Sequence, residues 1–147
     1  MAGPSELGRI TLWKGDGWHC RVCGRPMFFA PALEQLEGLN PGHGYFHGHG
    51  NEGDDLMLPL FARCWAMAIH LSHAGPEEPE ESRYVSCCWE CMVTRPAVND
   101  IRHGRTAPPP PLGDNRTGWD GFCLLHLALP DPKPRWAKAI RAAYGLA

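Results

Sequence analysis

The sequence lacks the hydrophobic signatures that carry a chain to or through a membrane. No run approaches the ~18 apolar residues of a membrane span, and the opening stretch MAGPSELGRITLWKGDGW has no basic patch followed by an apolar segment. A cytoplasmic protein without membrane contact is expected. An even cysteine count is also missing. Seven cysteines cannot all pair within one chain, and a reducing compartment disfavours disulfides in any case. Lysine is scarce, with 3 among the 14 basic residues, a bias that fits a GC-rich genome and bears on origin rather than function. Long uninterrupted backbone is lacking too: 17 Gly and 15 Pro in 147 residues give turns and irregular connections a large share of the chain. One domain's length of such backbone needs a staple, and metal is a better candidate than a disulfide.

What is present points the same way. CRVCG (Cys20, Cys23, Gly24) and CWEC (Cys88, Cys91) repeat one spacing. A CxxC turn brings two thiolates onto one face of a tetrahedral zinc ion, and a following Gly permits the tight turn of a knuckle. Two such pairs make a four-cysteine structural Zn2+ site the economical reading. Cys87, next to Cys88, is expected to point to the other face of its strand as a small core residue. Weaker material for a second metal site comes from the alternating His47 and His49, the CxxH of Cys123 and His126, His103, and Cys64.

Punctuation divides the rest. Residues 31–38 read as a short helix opened by Pro31 and stopped by Gly38. Residues 40–51 form a glycine-histidine loop or hairpin. From Asp54 the run DDLMLPLFARCWAMAIHLSH reads as the longest helix, apolar on nearly every face and therefore central and buried. EEPEE, residues 77–81, is a solvated acidic loop, and residues 83–87 are a strand leading into the second cysteine pair. Pro96 disfavours helix at Arg95 yet can open a new helical turn. The proline stretch of residues 107–118 is a spacer or a ligand for aromatic grooves. An amphipathic C-terminal helix starts near Pro134, with Trp136, Ala139, Ile140, Ala143 and Tyr144 on one face.

Charge is unevenly placed. Up to Cys91 there are 6 Lys/Arg against 12 Asp/Glu, and from Met92 onward 8 against 4, which sums to the formal −2. Net acidity opposes indiscriminate DNA binding but leaves room for a local basic face. Arg95, Arg102 and Arg105 follow the second cysteine pair, and Arg116 lies further on. Lys133, Arg135, Lys138 and Arg141 read as the solvated face of the C-terminal helix.

The order CRVCG, histidine, Gly-containing acidic loop, and hydrophobic strand running into CWEC resembles the zinc-bearing HNH (His-Me finger) nucleases common in phages, over roughly residues 20–95. The resemblance implies a treble-clef or ββα-metal fold. It also implies a histidine that activates water and a Mg2+ or similar ion that stabilises charge on the phosphate. His70 matches that histidine. Ile69 stands where the family has an acidic residue, Ser82 or Arg83 where it has asparagine, and Met92 follows the last cysteine. A second register, similar to the endonuclease VII branch, makes His49 the base beside His47, with Phe46 at the acidic position. In this superfamily the helix after the second knuckle lies along the DNA backbone, which implies phosphate contacts for Arg95, Arg102 and Arg105.

The expected architecture is an α+β, zinc-stapled, treble-clef-like domain with short strands. Residues 1–106 form the core, 107–118 the proline-rich connector, and 119–147 a strand and helix packed on the core. Three functions stay open: a metal-dependent DNA endonuclease, a noncatalytic zinc module that binds nucleic acid, and a protein-interaction factor using its tryptophans and proline stretch. A zinc-binding, DNA-associated protein is the reading that covers most of these observations.

Overall fold

The computed structural model describes residues 5–41, 63–72, 75, 77–113 and 118–146. Helix α1 (Glu6–Gly15) begins where the Ser5 hydroxyl accepts from the Gly8 N–H at 2.9 Å and Glu6 sits in the first turn, so one free donor is capped and the helix dipole is met. It buries Ile10, Leu12 and Trp13, and the chain leaves it through Gly17 and Trp18, both at positive φ. Helix α2 (Ala30–Leu39) has Pro31 in its first turn and buries Ala32 and Leu33. The helix expected there is present. It runs through Gly38 and stops at Asn40.

Strands β1 (Ala66–His70) and β2 (Tyr84–Cys88) pair antiparallel, Ala66 opposite Cys88 and His70 opposite Tyr84. The long central helix expected from Asp54 is therefore corrected: residues 66–70 are strand, while residues 54–62 lie outside the described residues. The physical reason is that AMAIH carries apolar side chains on both strand faces. That pattern suits a strand covered on both sides as well as a buried helix, and the wholly buried β2 supplies the partner. The strand expected over residues 83–87 is present, and β2 agrees with it within a residue.

Helix α3 (Trp89–Thr94) follows β2 directly. Arg95 is extended, Pro96 is helical, and α4 (Ala97–Arg102) begins. The proline thus ends one helix through its effect on Arg95 and opens the next. In the C-terminal segment both elements are helices, α5 (Cys123–Ala128) and α6 (Pro134–Ala143). The strand expected within residues 119–147 is absent among the described residues, because Asp120 accepts from the N–H groups of Phe122 (3.1 Å) and Leu124 (3.3 Å) and starts a helix instead.

The core is aromatic. Trp13, Trp18, Phe29 and Trp136 pack with ring centroids 5.0–6.5 Å apart, and α6 lies along α1 with Ala139 and Ile140 buried. Each buried indole needs an acceptor. Trp13 Nε1 donates to the Met67 carbonyl (3.0 Å), Trp18 Nε1 to the Tyr144 hydroxyl (2.8 Å) and Trp119 Nε1 to the Met27 carbonyl (2.9 Å). The first part of the proline stretch is latched to this body. The Arg21 guanidinium donates to the Pro109 carbonyl, and the buried Asp16 carboxylate accepts from the Leu112 N–H at 2.9 Å. No helix among the described residues is long and apolar enough to cross a membrane.

Candidate metal centre

Residues 19–26 form a knuckle. His19 and Pro26 make an antiparallel bridge at its base, Cys20 N–H donates to the Arg25 carbonyl (2.8 Å) and Gly24 N–H to the Cys20 carbonyl (2.8 Å). Gly24 has φ +81°, a conformation that costs a residue with a Cβ about 1 kcal/mol or more. The turn aims two backbone N–H groups, of Val22 (3.3 Å) and Cys23 (3.4 Å), at the Cys20 sulfur. Such donors favour a thiolate.

The second pair comes from the junction of strand and helix. Cys88 is the last residue of β2 and caps α3, while Cys91 sits in the first turn of α3. The knuckle is tied to this junction by the Arg21 N–H donating to the Ser86 carbonyl at 3.1 Å. The result is one cluster: the Sγ atoms of Cys20, Cys23, Cys88 and Cys91 all lie within 4.8 Å of one another, three of the four residues buried.

The donor set fits a tetrahedral thiophilic ion. Four thiolates at about 2.3 Å from zinc stand roughly 3.8 Å apart, and Cys23 Sγ to Cys88 Sγ is 3.8 Å. Bound zinc in a four-thiolate site leaves two net negative charges, and arginines stand ready for them. Arg25 donates to Glu90 and lies against Cys23. Arg95 lies against Cys91, and both guanidiniums are held more firmly protonated as a result. Arg63 completes the set by pairing with Glu90 at 3.7 Å. Spacing alone gives no sign of this charged surround, because Arg25 and Glu90 meet across 65 positions. Four cysteines so arranged can hold a metal ion such as zinc.

Cys87 is fully buried beside the cluster, and its thiol donates to the Cys88 carbonyl at 3.3 Å. A hydrogen bond to Cys20, with burial, pushes the Cys87 thiol far up, whereas hydrogen bonds from Cys87 and Cys88 hold Cys20 far below the usual thiol range. Cys87 is thus a buried core residue, as expected, and it stands outside the group of four sulfurs. Cys64 is buried next to Phe28 and Leu33, and burial raises its thiol.

The other candidates are scattered. His70 ends β1, its ring 5.1 Å from that of Tyr84, with Nε2 buried and unpartnered among the described residues. His70 belongs to no group of three metal-binding side chains among those residues. His47, His49 and Arg116 lie outside them. His126 is fully buried, with Nδ1 2.6 Å from Gln35 Oε1 and Nε2 accepting from the Lys133 N–H at 3.1 Å. Both ring nitrogens are occupied, so His126 is a packing residue and the CxxH pair with Cys123 does not open toward a metal. His103 is exposed at the end of α4. Among the arginines after the cysteines, Arg105 pairs with Asp100 at 2.9 Å. The Arg102 carbonyl accepts from both the N–H and the hydroxyl of Ser72, each at 2.9 Å.

No family model, curated protein or solved structure matches this chain.

Proposed function

We propose that this chain is a zinc-stapled treble-clef protein that associates with DNA. The order of knuckle, antiparallel hairpin and cysteine-capped helix supports the treble-clef assignment. One contact carries the nucleic-acid reading. Ser72, two residues beyond His70, fastens the end of β1 to the Arg102 carbonyl, so the histidine strand and the basic turn of Arg102 and Arg105 share a corner. Arg102 makes no side-chain ion pair among the described residues and is free for a phosphate. The unpartnered Nε2 of His70 in the same corner favours a second, narrower reading, in which His70 is a general base for metal-dependent strand cleavage.

The test is fluorescence anisotropy with a duplex of mixed sequence at 20 to 200 mM salt. Arg102→Ala should weaken binding to all sequences alike and lower the salt slope by roughly one unit. A zinc-replete protein that shows no affinity at the lowest salt refutes the reading. Nicking of supercoiled DNA with Mg2+, Mn2+ or Ni2+ separates the two forms: cleavage lost in His70→Ala at unchanged zinc content supports the nuclease, and its absence in wild type leaves the noncatalytic binder.

A further inference from the structure

The hairpin ladder fixes which edge of β1 is open. Trp89 N–H donates to the Trp65 carbonyl (2.9 Å) and Leu71 N–H to the Arg83 carbonyl (2.8 Å). Antiparallel pairing alternates, so positions 65, 67, 69 and 71 direct their backbone groups to β2, and positions 66, 68 and 70 direct theirs outward. Ala66 N–H is taken by the Phe28 carbonyl at 2.8 Å. Beyond it, the N–H and C=O groups of Ala68 and His70 have no partner among the described residues. An edge of that kind is a template for another extended chain.

A cavity of about 380 Å³ opens beside this edge. Trp13, Phe29 and Trp136 line it together with Met67 and Ala68 of the strand itself. Its aromatic walls are fixed, because Trp13 is held by the Met67 carbonyl and Trp136 packs edge-on against Phe29 at 5.0 Å. Arg9 also lines the cavity and has no side-chain partner among the described residues, whereas the neighbouring Glu34 is held by Lys133 at 3.1 Å. The pocket therefore offers an apolar hole, an open backbone edge and one uncompensated positive charge.

We infer that β1 and this pocket form a docking site for an extended segment of a partner protein, which adds as a strand and carries an apolar side chain with a carboxylate close to it. The backbone of the segment pairs with Ala68 and His70. One side chain fills the cavity, its alternate neighbours face away, and the carboxylate meets Arg9. A second copy of the chain fits less well. A two-fold pairing of β1 edges sets Arg9 against its own equivalent, and Glu34 is already engaged. The inference does not depend on DNA binding, since it uses neither His70's ring nor Arg102.

The experiment uses an array of fluorescein-labelled extended hexapeptides with Leu, Val or Phe at alternate positions and Glu, Lys or Ser between them. They are titrated into the zinc-loaded full chain. Glu-bearing peptides should bind, and Arg9→Glu should weaken them tenfold or more while improving the Lys-bearing set. Ala68→Pro removes only an outward N–H and should abolish binding at unchanged zinc content. Should that variant misfold, N-methylation of the peptide's edge amides must abolish binding to wild type instead. No binding across the array overturns the inference. So does binding indifferent to both Arg9→Glu and N-methylation, or a concentration-dependent dimer that Ala68→Pro dissolves.

Discussion

Cys23 and Cys88 stand 65 positions apart in the sequence and bring their sulfurs to 3.8 Å. The knuckle also reaches the hairpin through the Arg21 N–H on the Ser86 carbonyl and, just beyond its base, through Phe28, whose carbonyl accepts from the Ala66 N–H. Zinc bound by the four sulfurs would close a loop of that length, and its binding energy would be folding energy, on the order of 10 kcal/mol for structural sites. Purified protein should carry one zinc equivalent by elemental analysis. Serine at any one of Cys20, Cys23, Cys88 or Cys91 should reduce it below half and lower the thermal midpoint sharply, as should a strong chelator. Folding indifferent to chelators is the contrary result.

Cys87 makes a contrasting case beside the same cluster. It is as buried as its neighbour Cys88, yet it stands outside the group of four sulfurs and its thiol donates to the Cys88 carbonyl. Cys87→Ala should keep a full zinc equivalent and cost about 1 kcal/mol, the worth of one hydrogen bond and a sulfur's packing. A loss of metal equal to that of Cys88→Ser would make Cys87 a ligand and displace one of the four.

His126 gives stability a pH dependence of definite sign. Burial, and then the nearby Lys133 charge, lower its pKa in the folded protein. The neutral ring donates from Nδ1 to Gln35 Oε1 and accepts at Nε2 from Lys133 N–H. A lowered folded pKa means that the unfolded chain takes up the proton first. The contribution is complete above about pH 6.5 and is lost as pH falls below it, at no more than roughly 1.4 kcal/mol per unit. The difference in denaturation free energy between wild type and His126→Gln, followed from pH 8 to 5, should shrink in that window. Acid loss of zinc is common to both proteins and cancels. A constant difference would mean that the imidazole titrates alike folded and unfolded.

Much of this was legible in the sequence wherever the signal was local. The CxxC pairs, the Gly24 turn, helices α2 and α6, strand β2 and the break at Pro96 each depend on neighbours a few positions away, and each is present. The error at β1 has a physical source. An all-apolar stretch carries no periodicity, and what chose strand was the partner β2, fourteen or more positions downstream. Helix α1 escaped notice although Ser5 and Glu6 form a start signal. The arginine surround of the thiols and the clamp of Arg21 on Pro109, 88 positions away, are long-range pairings that no local pattern contains.

Gly121 shows how far such a pairing can constrain one residue. It has φ +66°, its carbonyl accepts from the Phe29 N–H at 2.8 Å, and it lies under the Trp18 ring. A Cβ at this position would come 2.7 Å from Trp18 Cε3 and 2.8 Å from the Met27 carbonyl oxygen. The carbonyl cannot retreat easily, since Trp119 Nε1 is bonded to it and Met27 N–H is bonded to Trp18. Gly118 supplies the control: φ is +74° there, and a methyl group on its Cα would have nothing within 4 Å among the described residues. Gly118→Ala should cost only the backbone strain, about 1 kcal/mol. Gly121→Ala adds overpacking of about 1–3 kcal/mol to the same strain, so it should lower the thermal midpoint by several degrees more than the control at equal zinc content. Equal midpoints for the two variants would mean that Trp18 and the Met27 carbonyl yield readily, and that the aromatic core is looser at this point than its hydrogen bonds imply.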